Sequence, residues 1–117
     1  LRVLAHGTFW LSSTPSKPRS KLSSSSLPRI CTWAKLQKAG LSKSIFFVFN
    51  THLDHVSSEA REEQTEILLG KIQEIAGLYP SILTGDFNCE ETSAPYQKIV
   101  NSFYEDSKGI SSLVLNG

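Results

Sequence analysis

Two short polar clusters hold the residues best suited to chemistry: Asn50-Thr51-His52-Leu53-Asp54-His55 and Gly85-Asp86-Phe87-Asn88. In an Asp-x-Asn triplet on extended backbone, alternation sends Asp86 and Asn88 to one side and Phe87 to the other, into the core. A carboxylate and a carboxamide are then held together. Hydrolysing a phosphoester needs a base or orienting group for the attacking water, and donors on the non-bridging oxygens where charge accumulates. Asp86 suits the first task and the Asn88 side-chain NH₂ the second. Histidine changes charge near neutral pH, so His52 is suited to donating to a phosphoryl oxygen or protonating the leaving group. Arg29 and the basic loop before it are placed to neutralise further phosphate charge. Each feature also has a plainer reading. Asp-x-Asn builds turns by bonding its own backbone, and a lone histidine at a strand end is usually a satisfied polar residue. Three such features in order, on neighbouring strands, move the weight to the chemical reading.

The elements that must position them follow from residue patterns. Residues 7–12, Gly-Thr-Phe-Trp-Leu-Ser, predict a short strand, and 13–28, rich in Ser, Pro and Lys, a long loop. A loop of that length is functional or disordered, and the serine run 23–26 equally fits a flexible insertion. Residues 29–36 alternate as a strand, a turn passes through Gly40, and 44–51 read as a strand buried on both faces, the two forming a hairpin. Ser57 or Ser58 caps a helix over 58–76 with Glu59, Glu62 and Glu63 near its positive end, and Gly77 with Pro80 ends it. Residues 81–85 give another strand. Strand, helix and strand then make a right-handed βαβ crossover whose parallel strands open on one edge, where sites form in such sheets. A second helix is predicted over 93–103, with Pro95 in its first turn.

Composition sets outer bounds. The chain has 117 residues, 39% hydrophobic and 20% charged, ordinary for one globular domain or a large piece of one. The apolar run 45–49 is too short to cross a bilayer. Net charge of +1 hides an asymmetry: residues 1–53 contain eight Lys or Arg and no Asp or Glu, whereas 54–117 contain four against eleven. A basic half would concentrate a phosphate-bearing substrate, or simply balance acidic residues elsewhere. Cys31 and Cys89 lack metal-ligand spacing and are expected as two free thiols. The chain opens on Leu1 and contains no methionine, so it is expected to be incomplete at its N-terminus, which leaves localisation unread.

With these residues in view, the sequence resembles the endonuclease/exonuclease/phosphatase superfamily, the deoxyribonuclease I-like proteins. The matching stretches are 7–12, 28–34 (Pro-Arg-Ile-Cys-Thr-Trp-Ala), 50–55 and 84–88 (Thr-Gly-Asp-Phe-Asn), which together span residues 7 to about 103. The resemblance implies an α/β fold, a portion of a four-layered α/β/β/α sandwich, with a divalent metal, Mg²⁺ or Mn²⁺, between strand ends. By the same likeness His52 and Asn88 contact the phosphate and Asp86 activates water. Asn50 and Arg29 become phosphate or structural contacts, with Asp54 and His55 as accessory candidates. The family's N-terminal metal-binding Asn and Glu, and its C-terminal Asp-His pair, have no counterpart here, so 1–117 is expected to be a partial domain without a complete metal site. The expected function is that of a fragment of a metal-dependent phosphoester hydrolase acting on a nucleic acid or small phosphodiester, with no membrane span and no specific protein partner. An inactive phosphate- or nucleic-acid-binding module, or a remnant without function, remains the alternative.

Overall fold

The computed structural model describes residues 1–40, 44–102 and 104. Four strands, β1 (Arg2–Trp10), β2 (Ile30–Gln37), β3 (Ile45–His52) and β4 (Ser81–Asp86), form one sheet in the order β1-β2-β3-β4. The first two pairings are antiparallel and β3–β4 is parallel. Helix α1 (Ser58–Ala76) makes the parallel connection, and α2 (Ala94–Val100) follows β4. The result is the mixed α/β arrangement anticipated from the crossover pattern.

Helix α1 begins where the Ser57 hydroxyl accepts from the Ala60 N–H at 3.0 Å, relieving one of the unpaired donors of the first turn. It ends at Gly77, whose φ of 57° is a left-handed conformation that favours glycine. Between these caps, Ala60, Gln64, Leu68, Ile72 and Ala76 recur every four residues and are buried together. They cover one face of the sheet, where Phe9, Cys31, Phe47, Phe49 and Leu53 complete the core. Along β3 the exposure alternates accordingly. Phe47, Phe49 and Thr51 are buried, whereas Asn50 and His52 are exposed on the opposite face.

Two predicted elements differ from expectation by more than a residue at an end, and the loop between the first two strands differs in character. The first strand runs over Arg2–Trp10 rather than 7–12, because Arg2, Val3, Ala5 and His6 pair with residues 34–37 of β2 despite their mixed polarity. Leu11 and Ser12 lie beyond it, although the Leu11 N–H still donates to the Arg29 carbonyl. The second helix spans Ala94–Val100 with Asn101 as its cap, and the predicted end at Phe103 lies outside the described residues. The loop 13–28 has neither helix nor strand, but its serines are bonded rather than loose.

Both cysteines are free thiols. Cys31 is fully buried, and that burial pushes its thiol up to about 12, against a smaller opposing effect of a backbone hydrogen bond to Asn50. A thiol reagent at pH 8 is therefore expected to label Cys89 within minutes and Cys31 only upon denaturation. Simultaneous labelling of both in the native protein would contradict this packing.

Candidate active site at the sheet edge

The parallel register sets His52 directly beside Asp86. His52 Nε2 lies 3.7 Å from Asp86 Oδ2, and the two side chains are 55% and 64% exposed, so both face solvent at the strand tips. The tips are fastened through Leu53. Its N–H donates to the Asp86 carbonyl at 3.0 Å, and its carbonyl accepts from Asn88 Nδ2 at 2.9 Å. Gly85 makes this approach feasible, since a Cβ there would stand 1.8 Å from the Thr51 carbonyl oxygen.

Asn88 departs from the expected alternation. It has φ of 47°, and its backbone N–H donates to Asp86 Oδ1 at 2.9 Å, so Asp86-Phe87-Asn88 closes a side-chain-capped turn instead of continuing the strand. Phe87 packs against the core as anticipated. The turn still leaves Asn88 within reach of the site, because an amide NH₂ has two donors and Leu53 takes one. One row inward on the same face, Asn50 Oδ1 accepts from Thr84 Oγ1 at 2.9 Å.

Arg29 is placed elsewhere. Strand alternation puts it on the side of Cys31 and Thr51, away from His52. Its guanidinium donates to His55 Nδ1 at 2.7 Å, its Nε lies 3.8 Å from Asp54 Oδ1, and the side chain is only 13% exposed. Arg29, Asp54 and His55 thus form a second group next to the His52–Asp86–Asn88 group, and Arg29 is committed to that group's structure.

Asp54 is the hub of the second group. Its Oδ1 accepts from the Ser25 hydroxyl and from both the N–H and hydroxyl of Ser26, while Oδ2 accepts from the N–H groups of Val56 and Ser57. Burial by itself raises a carboxyl pKa, but these hydrogen bonds outweigh it and hold Asp54 well below the usual carboxylate range. Buried Gln64 completes the cluster, with Oε1 accepting from the Asp54 N–H and Nε2 donating to the Ser25 hydroxyl. Sequence reasoning missed Ser25, Ser26 and Gln64. The available signal was Gln64 itself, a polar residue on the otherwise apolar stripe of α1.

For a metal, the donor set is thin. Among the described residues no group of three or more His, Cys, Asp or Glu side chains could hold an ion. Asp86 is the carboxylate of the His52 group, and Mg²⁺ requires a near-octahedral shell of oxygen ligands. These residues alone do not fit a Mg²⁺ site.

No family model and no curated protein matches the chain. Solved structures do. A conserved protein of unknown function from Enterococcus faecalis is 35% identical with a TM-score of 0.83, over 92% of this chain and 42% of its own. An endonuclease/exonuclease/phosphatase from Bacteroides vulgatus is 37% identical with a TM-score of 0.80, over 88% of this chain and 39% of its own. A mannosyl-6-phosphatase from Bacteroides thetaiotaomicron is 38% identical with a TM-score of 0.78, over 86% of this chain and 38% of its own. This chain belongs to the endonuclease/exonuclease/phosphatase superfamily. It spans about two fifths of the length of these three solved structures. Its mixed sheet and helices are the part of the α/β fold that they share with it. Two of these three relatives are phosphoesterases by description, an endonuclease/exonuclease/phosphatase and a mannosyl-6-phosphatase.

Proposed function

We propose that this chain supplies the water-orienting and phosphate-contacting residues of a phosphoester hydrolase site. The observation that carries this reading is the His52–Asp86 pair, 3.7 Å apart and solvent-facing, with Asn88 hooked to the same strand tips. Asp86 Oδ1 is held by the Asn88 N–H, which leaves Oδ2 to accept a proton from the attacking water. As the water oxygen bonds to phosphorus, the bond to the leaving group breaks and that oxygen takes a proton, from His52 in its protonated form. The second Nδ2 proton of Asn88 stabilises charge on a non-bridging oxygen. Arg29, Asp54 and His55 act behind this group by fixing the turn that follows His52, and Asn50 lines the floor beneath.

The resemblance makes Mg²⁺, or Mn²⁺, the expected metal. Since the described residues do not fit that ion by themselves, no step is assigned to it. The thin donor set favours one second reading, phosphoester binding without turnover, aided by the basic half of the chain.

Two measurements test the proposal. Inorganic phosphate titrated into the labelled chain is expected to move the resonances of His52 and Asn88, and His52→Ala to weaken binding about tenfold. With Mg²⁺ and a chromogenic phosphodiester, turnover is expected to fall about a hundredfold in Asp86→Asn. Phosphate binding that spares both residues would sink the assignment. Salt-sensitive binding without turnover, indifferent to Asp86→Asn and to chelators, would establish the second reading instead.

A further inference from the structure

The stripe of α1 turned toward the sheet contains a residue that packing alone does not call for. Between Ala60 and Leu68 stands Gln64, fully buried. Taking an amide out of water costs free energy unless both its ends are bonded. Here both are: Oε1 accepts from the Asp54 N–H at 2.9 Å, and Nε2 donates to the Ser25 hydroxyl at 3.1 Å. That hydroxyl already directs its proton toward the Leu27 carbonyl at 2.6 Å and Asp54 Oδ1 at 3.2 Å, so it meets Gln64 as an acceptor. A flipped amide would set donor against donor at the Asp54 N–H and turn its oxygen to a hydroxyl whose proton is committed elsewhere. Gln64 is therefore held in one orientation.

The Asp54 N–H and the Leu53 carbonyl belong to one planar peptide unit, so a partner at one end sets the direction of the other. At the far end the Leu53 carbonyl accepts from Asn88 Nδ2 at 2.9 Å. The Leu53 N–H is held as well, by the Asp86 carbonyl at 3.0 Å. Asn88 is thus suspended between two bonds, its backbone N–H on Asp86 Oδ1 and its side-chain amide on Leu53. The two Nδ2 hydrogens lie in one plane at a fixed angle, so the bond to Leu53 also aims the second, the one assigned to the phosphate. An unbroken run of hydrogen bonds therefore joins a buried glutamine of α1 to the turn at the tip of β4. An apolar residue at position 64 would leave the Asp54 N–H buried without an acceptor and the peptide free to tilt.

We infer that Gln64 is a positioning residue for the site, aiming the Asn88 carboxamide at the phosphate through the Leu53–Asp54 peptide. The inference rests on the function proposed above and adds the device that orients one of its groups. Inorganic phosphate titrated into the isotope-labelled chain tests it. In the unaltered chain, phosphate is expected to shift the Asn88 side-chain amide and, through the shared peptide, the amide nitrogen of Asp54. Gln64→Met, of similar shape but without either polar end, is expected to weaken phosphate binding about fivefold. Because the effect travels through Asn88, the double variant Gln64→Met/Asn88→Ala is expected to bind no worse than Asn88→Ala alone. Leu68→Ala, one turn along the same buried stripe, controls for a merely structural role: it is expected to lower the urea midpoint at least as much and to leave phosphate affinity unchanged. A loss of affinity in Gln64→Met that persists undiminished without Asn88, or that Leu68→Ala reproduces, overturns the inference and leaves the phosphate site standing. Equal affinity in Gln64→Met and the unaltered chain does the same. Should Gln64→Met not fold, the unaltered chain decides: a shift at Asn88 with the Asp54 amide nitrogen unmoved overturns the inference, and a joint shift upholds it. Phosphate that moves neither His52 nor Asn88 defeats the proposed function and this inference together.

Discussion

Gly85→Ala is expected to leave little folded protein. Gly85 has φ of 138°, a conformation that L side chains rarely adopt, and a Cβ there would meet Thr51 O at 1.8 Å and Thr51 C at 2.8 Å. Both are backbone atoms, so no rotamer change relieves the overlap. Thr51 cannot retreat freely either, because it is buried and its hydroxyl donates to the Ile30 carbonyl at 2.8 Å. Strands β3 and β4 would have to part, losing the Leu53–Asp86 hydrogen bond and the His52–Asp86 contact with it. Backbone strain of this kind costs about 1–3 kcal/mol before the overlap is counted, so a total on the order of 5 kcal/mol is expected. That approaches the whole stability of a small domain, about 5–15 kcal/mol. Urea denaturation followed by circular dichroism measures it. Gly70→Ala is the control, since a Cβ at that position on α1 meets nothing within 4 Å and a gain of about 0.5–1 kcal/mol is expected. Equal midpoints for the two variants would mean that β3 and β4 do not approach so closely.

Asp54→Ala is expected to cost about 3–5 kcal/mol, the range for removing one member of a buried charged network. The loss has three parts. The hydroxyls and N–H groups of Ser25 and Ser26 lose their acceptor, the turn at Val56 and Ser57 before α1 loses its cap, and the Arg29 guanidinium keeps its buried position without its carboxylate. Asp54→Asn retains the shape but turns an NH₂ toward N–H or O–H donors, so it is expected to recover only part of the loss. The acid dependence follows from the depressed folded pKa. Its contribution is fully present above the unfolded value of about 3.9, and it drains away as pH falls below that toward the folded value. Unfolding free energy measured from pH 6 down to pH 2 should therefore fall more steeply in the native sequence than in Asp54→Asn. Parallel curves would show that Asp54 is not the group responsible. Loop 13–28 should also lose amide protection first in Asp54→Ala, because Ser25 and Ser26 tie it to the rest of the fold.

The sequence by itself determined helix α1 to the residue, Ser58–Ala76, because a capping serine, an every-fourth-residue apolar stripe and a terminal glycine are all local signals. It also determined the order of β2, β3 and β4, whose β-branched and aromatic runs are short-range features, and it placed His52 and Asp86 on parallel neighbours opening at one edge. What only the tertiary structure decided depends on partners distant along the chain. Arg2–His6 became strand because β2 offered an edge to pair with, which no property of those residues announces. Arg29 was drawn away from His52 and Asp86 by Asp54 and His55, some 25 residues later, because a carboxylate that is buried needs charged and polar neighbours. Asn88 left the extended conformation because its amide found the Leu53 carbonyl. Ser25 and Ser26, indistinguishable by composition from a flexible linker, are fixed by a carboxylate on another element. Local periodicity encodes elements, whereas the choice among hydrogen-bonding partners is made only when the chain has closed on itself.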